Sequence, residues 1–367
     1  MKKSVLLIFV FLCGAACAKT EIGTLHGVPF RIDVPDNWNH VLVVYYHGYS
    51  PVPVQYKEGK LDPVLSAFTD KGYAVAQSAY SRSGWAVEQA VPETEELRKY
   101  FVKSYGTPQH EFVTGHSMGG FLTVETMERS PATYEGGLAM CGPLQPAPAL
   151  MKRAFDFAVV FAFYFPGVVP PPDSVPADFK VSEEKVKEIM RLLTANPAKA
   201  AALRKFGKLK TDKELAWNTV FLTYILKDLQ ERSAGNPFSN RDTIYTGSPD
   251  DNRLNDSVKR YRSTASLRYL HENYTFTGKL TRPVLAIHTT YDPLVPAEIP
   301  AYYALLTDEL GTNDLFVQEY VEHDGHCSIT PEETMEGFNE LVAWTEHHVK
   351  PQPGHLQVKA NVKSSSK

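Results

Sequence analysis

The stretch Gly115-His116-Ser117-Met118-Gly119 sets a hydroxyl between two glycines, where the apolar run "EFVTG" gives way to "MGGFLTVETMERS". The first segment reads as a strand and the second has helical apolar spacing. A serine on so sharp a joint stands clear of the strand, at the N-terminus of the next helix. A side chain two residues before or after it would clash, so glycine is needed at both places. The helix start offers unpaired N–H groups and partial positive charge, which suits a negative charge developing on a substrate oxygen. A seryl hydroxyl is still a weak nucleophile and needs a base.

Groups that could supply the rest of this chemistry fall at the ends of other expected strands. His47-Gly48 ends "HVLVVYYHG", Asp292 follows "RPVLAIHTTY", and His326 lies in the loop "EHDGHCSI" after "LFVQEYVE". In doubly wound sheets, ligands bind beyond the carboxyl ends of the strands. His326 could take the proton of Ser117 near neutral pH, and Asp292 could hold the imidazole tautomer. Each residue has a plainer reading too. His47 could brace its loop, Asp292 could cap the segment near Pro296, and His323 is a rival base three residues from His326.

The elements that must position these groups alternate. Residues 21–46 read as three strands, the last a near-continuous apolar run of the kind buried on both faces of a parallel sheet. A helix near 61–71, the strand "GYAVAQSAY", a helix in "AVEQAVPETEELRKYFVKSYG" imperfect at Pro92, the Ser117 strand and helix, and the strand "YEGGLAMCG" follow. This β-α-β-α order argues for an α/β chain with a mostly parallel sheet. From 148 the pattern turns helical. The apolar stretch 151–165 is too short to span a membrane and contains Asp156. Helices are expected at 182–195, at 212–232 behind a Thr211-to-Glu214 capping box, and at 256–272. The sheet resumes near 283, and Thr330 to Glu333 start the last helix.

With "HGYS", "GHSMGG", "YDPLVP" and "GHC" in this order, the chain resembles a secreted bacterial member of the α/β-hydrolase superfamily, over roughly residues 24–348. The resemblance implies an α/β-hydrolase fold, a mostly parallel doubly wound sheet with an inserted helical cap. It implies a catalytic triad of Ser117, Asp292 and His326, with the backbone N–H groups of Met118 and Tyr49 as the oxyanion hole. His116, in the elbow, lines the pocket or merely packs. Trp85, after a strand end, lines the pocket or belongs to the core. The implied activity is serine ester hydrolysis through an acyl-enzyme, without a cofactor. A peptidase on the same scaffold would want a carboxylate pair for a substrate ammonium, for which Asp250-Asp251 is the candidate. A non-catalytic binding protein is the third reading, and the intact triad argues against it. The aromatics Phe155, Phe157, Phe161, Phe163, Tyr164 and Trp217 suit a hydrophobic acyl group or ordinary packing.

Composition bounds the rest. The 367-residue chain has a formal charge of −4 and no basic stripe beyond the tail "VKANVKSSSK", so a nucleic-acid partner is not expected. No Cys/His pair at metal-ligand spacing and no HExxH run occurs among its 12 histidines, which speaks against a catalytic zinc. Residues 1–18 have the charged start, apolar run and Ala16-Cys17-Ala18 ending of a secretory signal peptide. Export to the periplasm or beyond is therefore expected. A lipid anchor on Cys17 is the lesser alternative, because Gly14 stands where leucine is usual. The expected organisation is a core of 19–147 and 278–350, a cap of 148–277 and a flexible tail of 351–367. Cys141 and Cys327 both lie toward the carboxyl edge of the sheet. A strand spacing of roughly 4.8 Å across an intervening strand works against their pairing, unless loops close the gap.

Overall fold

The computed structural model describes residues 19–130 and 132–358. The expected signal peptide and the last nine residues of the expected tail lie outside the described residues. Among the described residues the nine strands are β1 (Lys19–Leu25), β2 (Val28–Val34), β3 (Val41–Tyr46), β4 (Ala74–Ser78), β5 (His110–His116), β6 (Gly136–Met140), β7 (Val284–Tyr291), β8 (Phe316–Asp324) and β9 (Gly354–His355). They form one sheet in the order β1-β2-β4-β3-β5-β6-β7-β8-β9. β1 and β2 join antiparallel, and from β4 to β9 every pairing is parallel. The central strands read as apolar runs because helices cover both faces.

α1 (Pro63–Thr69) and α11 (Pro331–His347) cover one face, where Phe68, Phe112 and Phe338 meet edge-on. α2 (Val87–Tyr105) and α3 (Met118–Arg129) cover the other. α2 runs unbroken through Pro92. Both sequence-read capping boxes form, Thr211 with Glu214 and Thr330 with Glu333.

Between β6 and β7 the described chain is helical. α4 (Ala147–Tyr164) packs on α7 (Asp212–Ser233), which packs on α5 (Glu183–Ala195). α6 (Pro197–Gly207) was not expected from sequence. The helix expected over 256–272 is instead two short ones, α8 (Asp251–Ser257) and α9 (Arg268–Glu272). The chain between them is held extended by side-chain amides. Asn240 donates to Lys259 O and accepts from Tyr261 N, while Asn236 Nδ2 donates to Arg262 O. The remaining helix, α10 (Ala301–Leu310), precedes β8. The flexible tail also needs correction at its start. β9 adds to the sheet edge beside β8, and Leu356 is buried against that face.

Candidate active site

β5 delivers Ser117 to the elbow. Its backbone sits at φ 57° and ψ −120°, a conformation that costs an L-residue energy and persists only where the surroundings impose it. The glycines explain how. A Cβ on Gly115 would lie 2.6 Å from Gly119 O and from Tyr46 O, and a Cβ on Gly119 would drive into Tyr46 O. Strand β3 and the elbow touch backbone to backbone, so neither position has room for a side chain.

Ser117 Oγ is 2.8 Å from His326 Nε2, and His326 Nδ1 is 2.6 Å from Asp292 Oδ2. The other carboxylate oxygen, Oδ1, accepts from Leu294 N and Val295 N, both at 2.8 Å. Asp292 thus orients the imidazole and closes the turn after β7. Burial works to raise its pKa, but the bond and charge of His326, with the two backbone donors, hold it below the ordinary carboxylate value. A carboxylate so held stays ionised to stabilise an imidazolium. Met118 opens α3, so its N–H has no intrahelical partner. Gly48 passes close enough that a Cβ there would lie 3.3 Å from Ser117 Cβ, which brings the Gly48-Tyr49 loop beside the nucleophile.

The rival residues have other duties. His323 Nε2 meets Glu333 Oε1 at 2.9 Å, at the N-terminus of α11. His47 stacks on Tyr80 and bonds Gly48 O at 2.7 Å, bracing the loop. Asp250 caps α8 and Asp251 binds Ser248 and Gly247, so this pair serves helix geometry.

The site opens into a cavity of about 640 Å³. Ser117, Met118, Tyr49 and His326 line it from the sheet, and α4 and α7 supply much of the opposite wall. Trp85 reaches this cavity and is also a core residue, 2% exposed and edge-on to Phe121. His116 is not among the described lining residues. It packs beside Tyr45, and desolvation lowers its pKa to about 4. Of the sequence-read aromatics, Phe157 and Trp217 line the cavity, whereas Phe155 and Phe161 are wholly buried in the core.

Two further features complete the site, one left open by the sequence and one missed by it. The first is a Cys141–Cys327 disulfide, whose Cα atoms lie 5.3 Å apart. The pairing question left open by the strand spacing is answered by the loops: both cysteines take positive φ and turn toward each other beyond the sheet edge. The Ser117 N–H approaches Cys141 Sγ at 3.3 Å, and Cys327 Sγ lies 3.6 Å from His326 Nε2. The bridge therefore touches both nucleophile and base. The second is Asp228 on α7. Its carboxylate accepts from Trp85 N at 2.6 Å, from Tyr49 OH at 3.2 Å and from Arg232 Nε at 2.8 Å. A Cβ on Gly84 would collide with that carboxylate, so the glycine admits the contact. Asp228 joins the helical region to the loop that carries the Tyr49 N–H.

Among the described residues, no group of three or more Asp, Glu, His or Cys could hold a metal ion. Among the same residues, no helix is long and apolar enough to cross a membrane.

No family model matches the chain, and no curated protein matches it. Solved structures do. An esterase of Pyrococcus furiosus is 13% identical, with 93% of this chain and 95% of that one covered and a TM-score of 0.48. An esterase from Aspergillus oryzae is 14% identical over 91% and 80%, with a TM-score of 0.49. The acylaminoacyl peptidase of Pyrococcus horikoshii is 11% identical over 91% of this chain and 42% of its own length, with a TM-score of 0.44. These likenesses are remote, and the features that define the fold are the strand order and the serine elbow. By those features the chain has the α/β-hydrolase fold.

Proposed function

We propose that this protein is a serine hydrolase that cleaves carboxylic esters through an acyl-enzyme. The observation that carries the reading is the hydrogen-bonded chain Ser117–His326–Asp292 at the floor of an apolar cavity. In this reading Ser117 Oγ attacks the ester carbonyl carbon as its proton passes to His326 Nε2. The carbonyl oxygen becomes an oxyanion beside the N–H groups of Met118 and Tyr49. The intermediate collapses, the alkoxy group leaves with the proton from His326, and the acyl group stays on Ser117. Water then attacks through the same base, and the acid is released. Loss of one oxyanion donor typically costs about 3 kcal/mol of transition-state stabilisation.

Hydrolysis of amides on the same scaffold would use the same steps. The acids that line the cavity favour esters over substrates with a free ammonium, because each already has a basic partner: Lys152 bonds Asp156, and Lys208 lies 2.6 Å from Glu298. Export belongs to the same proposal. The Cys141–Cys327 bridge suits an oxidising compartment, as the signal-like start does.

A fluorophosphonate probe and a panel of p-nitrophenyl acyl esters test the reading. The wild-type chain should hydrolyse the esters and take the label, and Ser117→Ala should do neither. Labelling that persists in Ser117→Ala, or a wild-type chain inert to both reagents, would overturn it.

A further inference from the structure

The cavity has five acidic or basic lining side chains among the described residues: Arg153, Asp156, Lys208, Glu298 and His326. Four are engaged. Asp156 bonds Lys152 and also Tyr245 Oη at 3.0 Å, Lys208 and Glu298 bond each other, and His326 is held in the triad. Arg153 alone makes no hydrogen bond and no ion pair with any described residue. It projects from α4 between buried neighbours, Ala154 on one side and Met151 near it, yet it is itself exposed. Solvent reaches the guanidinium, but the surrounding protein desolvates it enough to pull its pKa below the ordinary arginine value. The negative charges of Glu298 and Asp292 act against that shift without bonding to it.

Without a protein partner, the donors of Arg153 are open to a group that enters the cavity. A guanidinium carries five donors in a planar fork that fits a carboxylate with two parallel bonds. Much of the surrounding wall is apolar. Leu150, Phe157, Phe221 and Ile225 line the same cavity, and Trp217 stacks on Phe221 at 4.6 Å between ring centroids. Such a wall holds hydrocarbon, and the two carboxylates that line the cavity already have basic partners, Lys152 for Asp156 and Lys208 for Glu298.

We propose that Arg153 is a specificity-determining residue that receives a carboxylate on the substrate, so that the preferred substrates are esters with an apolar body and one free carboxylate. This assignment rests on the hydrolase reading above. The ester carbonyl lies at Ser117 while the carboxylate lies on Arg153, with the apolar body between them along α4 and α7. The hydrolysis itself needs nothing further: water is consumed, the alcohol leaves, and the acid is released.

The test uses monoethyl esters of straight-chain diacids from succinic to sebacic acid, each beside the analogue whose free carboxyl is a primary amide. At its best chain length the wild-type chain should prefer the acid by about tenfold or more in kcat/KM, chiefly through KM, as a charge-assisted bond in a partly desolvated site implies. Arg153→Gln should bring the ratio close to one, and Arg153→Lys should restore part of it. A ratio near one in the wild type, or a ratio unchanged in Arg153→Gln, would overturn the proposal. Calorimetric binding of the same monoesters to Ser117→Ala separates this failure from failure of the hydrolase reading. Binding that favours the acid and is lost in Ser117→Ala/Arg153→Gln supports the carboxylate site even if the wild type hydrolyses none of the esters. Binding that ignores the free carboxyl sinks the site while leaving ester hydrolysis to stand on its own evidence.

Discussion

The two walls of the cavity are built by different means. On the sheet side, position is set by backbone. Gly115 and Gly119 let β3 and the elbow touch, Ser117 is held at positive φ, and a disulfide ties the loops after β6 and β8. On the helical side, position is set by side chains: Asp228 and Arg232 dock α7 on the Ser83–Trp85 loop, and aromatic rings fill the interior. Backbone contacts of the first kind admit almost no substitution, whereas side-chain packing admits many. In the proposed reading, the chemistry therefore belongs to the sheet wall and selectivity to the helical wall.

Substitutions on the two walls should separate accordingly. The largest effect belongs to the triad. Ser117→Ala and His326→Ala should each lower kcat by on the order of 10⁴-fold or more, and the double variant should lose little beyond that, because the residues act as a unit. Steady-state kinetics with an activated ester measures this, and additive losses would mean that the two serve separate steps.

The disulfide comes next. Replacing Cys141 and Cys327 by alanine should lower stability by about 2–5 kcal/mol. It should also lower kcat by roughly tenfold or more, since the bridge touches both Ser117 and His326 and small misplacements are costly. Urea unfolding and kinetics on the same variant report both, and unaltered kcat would show that the bridge is structural only.

Asp228→Asn keeps the shape of the side chain but weakens its hold on Tyr49 OH and Trp85 N. A fall in kcat of roughly tenfold, with KM little changed, would place this residue of the helical wall in the service of the oxyanion loop. A change confined to KM would instead assign it to binding.

His116 gives a pH dependence. Burial lowers its pKa to about 4 in the folded chain, against about 6.5 when unfolded. Between those values the unfolded chain binds the extra proton, so this contribution to stability is complete above pH 6.5 or so and is lost on acidification toward pH 4. The slope should be at most roughly 1.4 kcal/mol per pH unit. His116→Phe should flatten it in urea midpoints taken across that range, and an equally steep profile in the variant would assign the slope to other groups.

The smallest effect is on selectivity. Leu150→Trp, in the helical wall, should shift the preferred acyl length severalfold toward shorter chains while acetyl ester turnover changes less. A uniform loss across chain lengths would mean that α4 only packs.

The same division governs what could be read from sequence. The elbow, the two capping boxes and the strand-end residues carry their geometry in local spacing, so Ser117, Asp292 and His326 could be named before any fold was known. α6 could not. Only Ala200, Ala202 and Leu203 of its residues are buried, which leaves too faint an apolar stripe. The break between α8 and α9 depends on Asn236 and Asn240, some twenty residues away, and no local pattern reports such contacts. The disulfide needed the turn of both loops, and the Asp228 contacts needed the docking of α7 on the Trp85 loop. Arg153 stood out only once the cavity showed which of its charges had partners.

The central claim is that Ser117 carries the acyl group. Rapid mixing with p-nitrophenyl acetate, acid quench and mass analysis of the digested protein tests it directly. An acetyl group on the peptide containing Ser117, formed and lost at rates consistent with turnover and absent in Ser117→Ala, is the expected result. Turnover without such an adduct, or acetylation at another residue that keeps pace with turnover, would contradict it.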